Sequence, residues 1–200
     1  AEATGIAGDA GEDRIANDGD VQVLHGRAHS TGVGVAPNVL IAREGAALGA
    51  ALADTHAAAT TNAAGVDGGD GDDEIVNRGA VKVSSLSADA DAVTVALNVA
   101  LTQSGLPAGA ALSFSETTAE IAGRGVAGGG GDDELRNDGA ITLQQFNAGA
   151  TAVSAAVGLN GGVASVSIGA AVADGQANAT THATAMDGEG GDDLITNTAD

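Results

Sequence analysis

Over residues 91–101 the odd positions Val93, Val95, Leu97, Val99 and Leu101 are apolar, while Thr94, Ala96, Asn98 and Ala100 between them are small or polar. A period of two marks an extended strand with one face turned to a core. The same phase returns at Val33, Val35, Val39 and Ile41, and again at Val153, Val157 and Leu159. Past Gly105 the parity shifts. Leu106, Ala108, Ala110 and Leu112 now form the apolar set, echoed by Ala46, Leu48, Ala50 and Leu52 and by Val166, Ile168, Ala170 and Val172. Two alternating runs out of phase predict a turn near Gly105 and a second long strand after it. Residues 74–77 and 80–84 carry Ile75, Val81 and Val83 on either side of Asn77, Arg78 and Gly79, which predicts two short strands around a corner. No segment shows a period of 3.6, so the chain reads as all-β.

Each of these features recurs after 60 residues: Gly11, Gly71, Gly131 and Gly191 keep that interval, as do Asp13, Asp73, Asp133 and Asp193, the apolar Ile15, Ile75, Leu135 and Ile195, and Asn17, Asn77, Asn137 and Asn197. A constant period is what a stacked array requires, because equivalent residues must lie above one another. One repeat is a closed circuit of extended segments, and the simplest such circuit is one coil of a parallel β-solenoid, each strand hydrogen-bonded to its equivalent about 4.8 Å away. The predicted fold is a single continuous β-solenoid over residues 1–200, β-roll or β-helix-like, with one large 60-residue coil per repeat. Its register is 1–10 (partial), 11–70, 71–130, 131–190 and 191–200 (partial). So large a coil is expected to be flat, its facing sheets separated by Val, Leu and Ala. The four asparagines are expected to form an amide ladder. The sequence is expected to be a window from a longer array, any export signal lying outside it, with continuation or self-association of repeats into a filament.

Composition narrows the core and the partners. With two Phe, no Trp, no Tyr and 32 Gly, the interior has to be filled by small side chains, while 44% apolar residues and two Pro argue against disorder. Seven Lys plus Arg against 27 Asp plus Glu give a net charge of −20, which excludes nucleic acid as a partner and favours cations. There is no cysteine, hence no disulfide or thiolate metal site. No apolar run approaches the roughly 18 residues that a membrane span requires.

The acids concentrate at one corner. Gly68-Gly69-Asp70-Gly71-Asp72-Asp73-Glu74-Ile75-Val76 fits G-G-x-G-x-D-x-(apolar)-x at every position, as does the copy beginning Gly128-Gly129, while the copies from Gly8 and Gly188 lack only the second glycine. This motif resembles the RTX family of calcium-binding nonapeptide repeats of secreted bacterial proteins. The resemblance implies Ca²⁺ between successive coils, with carboxylate oxygen from Asp13, Asp73, Asp133 and Asp193 and backbone oxygen from turns at Gly11, Gly71, Gly131, Gly191, Gly68, Gly69, Gly128 and Gly129. Glu12, Asp72, Asp132 and Asp192 add an oxygen or face water. Elementary chemistry agrees, since Ca²⁺ takes 6–8 oxygen ligands in flexible geometry and glycine lets carbonyls turn toward an ion. The reading without metal is a tight Gly-Asp turn that ends a strand. The motif covers nine residues in every 60, whereas RTX segments run consecutively, so the small coil of that family is not carried over.

Other chemistry finds little support. His25 and His29 are replaced by Ser85 and Gln145, and by Asp89 and Gly149, in the other repeats. No nucleophile elbow occurs. A sugar-cleaving solenoid would need an aromatic or basic groove, and Phe114 and Phe146 do not recur. No enzymatic step is expected. The sequence points to a calcium-stabilised structural filament or matrix protein, extracellular or at the cell surface. The alternative is an adhesin stalk in which each 60-mer is a separate β-sandwich bead with calcium at the junctions.

Overall fold

The computed structural model describes residues 1–164 and 168–199; Val166 of the expected return strand and Asp200 lie outside them. The chain is all-β. Its strands are β1 (Glu2–Ala7), β2 (Arg14–Asn17), β3 (Val21–Val23), β4 (Gly26–Asp70), β5 (Glu74–Asn77), β6 (Val81–Gly130), β7 (Glu134–Asn137), β8 (Ile141–Ala164), β9 (Ile168–Gly190) and β10 (Leu194–Asn197). Every pairing is parallel, and the register is the sequence period: Val33 lies beside Val93 and Val93 beside Val153, while Ile15, Ile75, Leu135 and Ile195 form one row. The long strands make one sheet, and β2, β5, β7 and β10 make a second, four-stranded one.

A straight strand as long as β6 would reach about 165 Å at 3.3 Å per residue. The chain instead folds back on itself. The Ser113 hydroxyl donates to the Thr94 carbonyl at 3.0 Å, and that of Thr61 to the Ser87 carbonyl at 2.8 Å. The reversal falls at Gly105 (φ 137°) and, in the preceding repeat, Gly45 (φ 90°). A Cβ on Gly105 would overlap the Gly45 carbonyl, so this turn needs glycine both for its backbone conformation and for the approach of the neighbouring repeat. Each repeat thus runs out from the acidic corner, turns at this tip and returns.

The two halves of the interior differ. Near the corner, Val66, Ile75, Val81, Val126 and Leu135 form one buried cluster, and Val83, Leu86 and Ile121 join alanines in another. Toward the tip the packing is inverted relative to expectation. Ala92, Thr94, Ala96, Asn98 and Ala100 point inward and are buried, facing Ala111, Ser113, Ser115 and Thr117 of the return run. Val93 and Leu101 are 41% exposed, Leu106 is 40% exposed, and Val33, Val35, Val39, Ile41, Val153, Val157 and Leu159 also face outward. The expectation that Val, Leu and Ala separate the facing sheets is met near the corner, and along the arm it is corrected for Val and Leu: there alanine is joined by Ser, Thr and Asn instead. The reason is distance. A Cβ on Gly32 would lie 3.3 Å from the His56 carbonyl, and one on Gly158 3.2 Å from that of Ala170. Facing backbones that close, well inside the usual separation of about 10 Å, leave no room for a branched side chain. Alternation defines two faces; the narrow gap decides which one is inside.

Two substitutions of similar chemistry should separate these faces. Ala96→Leu, at a position with no exposure, is expected to cost about 1–3 kcal/mol by overpacking, and Val93→Ala to remain within about 0.5 kcal/mol of the parent. Urea unfolding followed by circular dichroism reads both; the reverse order would place the valines inside.

Candidate metal centre

The corner is built by glycines where repeats nearly touch. Gly11, Gly71, Gly131 and Gly191 hold φ between 128° and 140°, and Gly69 and Gly129 hold 105° and 108°. A Cβ on Gly71 would overlap the Gly11 carbonyl, and one on Gly129 the Gly69 carbonyl. The copies that lack the second glycine place Asp9 (φ 75°) and Glu189 (φ 66°) in the same left-handed region. The motif is thus kept as backbone shape where it has lapsed as sequence.

All four motif aspartates line up in one row, and the carboxylates of Asp73 and Asp133 are each split between two environments. Asp73 Oδ1 accepts from the Asp13 amide at 2.8 Å, Asp133 Oδ1 from the Asp73 amide at 2.8 Å, and Asp193 Oδ1 from the Asp133 amide at 3.0 Å. The other oxygen, Oδ2 of Asp13, Asp73 and Asp133, is buried and meets no donor. It lies over the first glycine of its motif, where a Cβ on Gly68 or Gly128 would overlap it. Those glycines clear space for the carboxylate.

Beside this inner row runs an exposed outer one, Glu12, Asp72, Asp132 and Asp192. Here the amides of Asp132 and Asp192 donate at 2.9 Å to Oδ1 of Asp72 and Asp132, so the outer row hydrogen-bonds in the opposite direction along the stack. Both rows border an open groove of about 480 Å³ that also includes Glu74 and Glu134. Behind the corner the Arg124 side chain meets Glu189 at 2.8 Å and Asp187 at 3.4 Å. The Asn ladder is present, with Asn17, Asn77 and Asn137 donating to the next asparagine at 2.7, 2.6 and 2.8 Å.

Burial pushes the Asp133 carboxyl above the usual aspartate range; the charges of Asp73, Asp193 and Asp72 add to this and the Asp73 amide opposes it. Asp67 is raised as well, by burial first, with Arg124 pulling the other way. Asp138, held by the Thr198 hydroxyl and Arg136, is lowered.

A hard divalent cation suits one anionic, unpartnered oxygen per repeat, and backbone carbonyls would have to supply much of its shell. The Asp70, Gly130 and Gly190 carbonyls each already accept one amide from the preceding repeat, leaving a lone pair apiece. Among the described residues no group of three or more His, Asp or Glu side chains is disposed to hold a metal by itself, and no helix is long and apolar enough to cross a membrane. Sequence reasoning placed the acids at one corner but missed the split carboxylate, which depends on the neighbouring repeat's amide, and missed Arg124, which does not recur, and Asp67, which recurs only as Asp187 two repeats on. Compared with known proteins, the chain matches no family model, no curated protein and no solved structure.

The glycine geometry has opposite consequences at equivalent sites. Gly129→Ala should destabilise by more than about 2 kcal/mol, because strain at positive φ adds to a backbone overlap. Asp9→Gly, at the equivalent position with φ 75°, should stabilise by about 1 kcal/mol. Thermal melts decide, and a stabilising Gly129→Ala would contradict the close approach.

The sign of the pH dependence follows from Asp133 and Asp67. Their raised values mean that the folded chain binds protons more readily than the unfolded one, so stability without metal should rise as pH falls from neutrality toward 3.8. Asp138 opposes this only below 3.8. Urea midpoints in EDTA at pH 7 and 5 should show the rise, with a shallower one in Asp133→Asn; a fall on acidification would contradict it.

Proposed function

We propose that the chain is a structural segment of an extracellular filament or matrix, a parallel β-solenoid with one 60-residue coil per repeat, in which calcium bridges successive acidic corners. The observation that carries this reading is the recurring buried carboxylate oxygen without a donor at Asp13, Asp73 and Asp133. An anionic oxygen removed from water costs several kcal/mol unless a cation or proton meets it. The resemblance of the corner to RTX nonapeptides points to the same ion. In this reading one oxygen of each inner aspartate faces the metal, turn carbonyls complete the shell, and the outer acids draw cations to the groove. Calcium is a rivet, and no reaction is involved. The beaded-stalk alternative is disfavoured by the pairing of residues 26–70 with 86–130, since separate beads would not hydrogen-bond along their whole length to the next repeat.

Calcium dependence of unfolding tests the proposal. With a dissociation constant near 10⁻⁴ M, 10 mM calcium should add about 2.7 kcal/mol per site over EGTA. Asp73→Asn with Asp133→Asn should abolish most of that gain while raising stability in EGTA, because two buried charges are gone. Melting that ignores calcium, with no heat of calcium binding by titration calorimetry, would leave a metal-free scaffold.

A further inference from the structure

The flattened arm between the corner and the tip is apolar on both outer faces. In the middle repeat one face shows Val93 and Leu101, each 41% exposed, and the other Leu106, 40% exposed. Val33 and Val153 continue the Val93 row and Ile41 lies beside Leu101, while on the other face Leu52, Leu112 and Val172 form a row of their own. Charge avoids the region. Windows 32–53, 92–115 and 152–173 contain Arg43 and Glu44 and no other charged residue, although the chain carries 27 acids.

We infer that these faces are docking surfaces for a second copy of this chain, stacking arm against arm, side by side. Three observations select that occupant. Glu44, next to Arg43, is the one acid within these windows, with Asp54 and Asp174 at the border of two of them, so two chains of net charge −20 can approach there while bringing few carboxylates together. One face carries in-register rows such as Val33, Val93 and Val153, and the other alternates large with small residues, Leu48, Ala108 and Ile168 beside Leu52, Leu112 and Val172, so that faces of this kind interdigitate as the inner faces of a sheet sandwich do.

The third is area. An arm of about 12 residues at 3.3 Å, repeated every 4.8 Å, offers about 190 Å² per repeat and face, hence about 570 Å² per face over three repeats. That is short of the roughly 800 Å² per partner of a stable complex, whereas the two faces together reach about 1,100 Å². Each single contact is therefore weak, and every chain added to a stack makes a contact of the same kind. With two apolar faces the contact does not close, and association runs on to stacks.

Sedimentation velocity across a concentration series, in EGTA so that the calcium proposal plays no part, tests this. The 200-residue chain is expected to show an average sedimentation coefficient that climbs continuously with concentration and passes the dimer value. Val93→Lys, Leu101→Lys and Leu106→Lys combined should keep the chain monomeric with an unchanged circular dichroism spectrum. These lysines reduce the net negative charge, so general repulsion cannot account for the loss. Should that variant misfold, Val93→Thr, Leu101→Thr and Leu106→Thr, expected to raise the midpoint concentration for assembly at least tenfold, replaces it. Assembly unaffected by the face substitutions would mean growth through strand edges and overturn the inference. A chain that stays monomeric in solution but floats with phosphatidylcholine vesicles would overturn it in favour of a lipid surface.

Discussion

Parallel pairing of each residue with the residue 60 positions on governs everything else in this chain. A side chain in such a stack meets its own equivalents about 4.8 Å above and below, so only residues that tolerate a like neighbour at that distance can be used. Asparagine does so by donating with one end of its amide and accepting with the other. Glycine does so where a carbonyl of the adjacent repeat occupies the space a Cβ would need. Aspartate does so only partly. One oxygen is satisfied by the neighbouring amide, the other is left over, and burial with like charges raises the proton affinity of Asp133. The candidate metal site is thus a direct product of stacking acids, and the same constraint explains why a cation would be useful there.

The interior changes along each repeat. Close to the corner the sheets stand apart and hold Ile75, Leu86, Ile121 and Leu135 at full burial. Along the arm they close until alanine, serine, threonine and asparagine fill the gap, and the bulky residues are displaced to the outside. A thin arm with apolar faces and a thick, acidic edge is an amphiphilic cross-section. Repeated along the stack, it gives one edge suited to ions and faces suited to apolar contact.

Much of this was legible in the sequence. The alternation at residues 91–101, the parity change past Gly105 and the 60-residue interval together contain the strands, the reversal and the register, because pairing requires all three. The direction of the faces was not legible. Val93 and Thr94 alternate equally well either way, and the usual rule that large apolar residues go inside fails when the opposing backbone is too near to admit them. At the corner the 60-residue interval put Asp73 and its equivalents in one row, yet which carboxylate oxygen is free depends on an amide contributed by the repeat before. Asp9 and Glu189 look like lapses of the motif, while their backbones hold the glycine conformation.

The most direct measurement is a cryo-electron microscopy density map of the material in millimolar calcium, compared with one after chelation. Successive repeats separated by about 4.8 Å along the stack, with density between the Asp73 and Asp133 corners that disappears on chelation, is the predicted result. An axial repeat of tens of ångströms would contradict the in-register stack itself, and corners that look the same in both maps would contradict the calcium bridge.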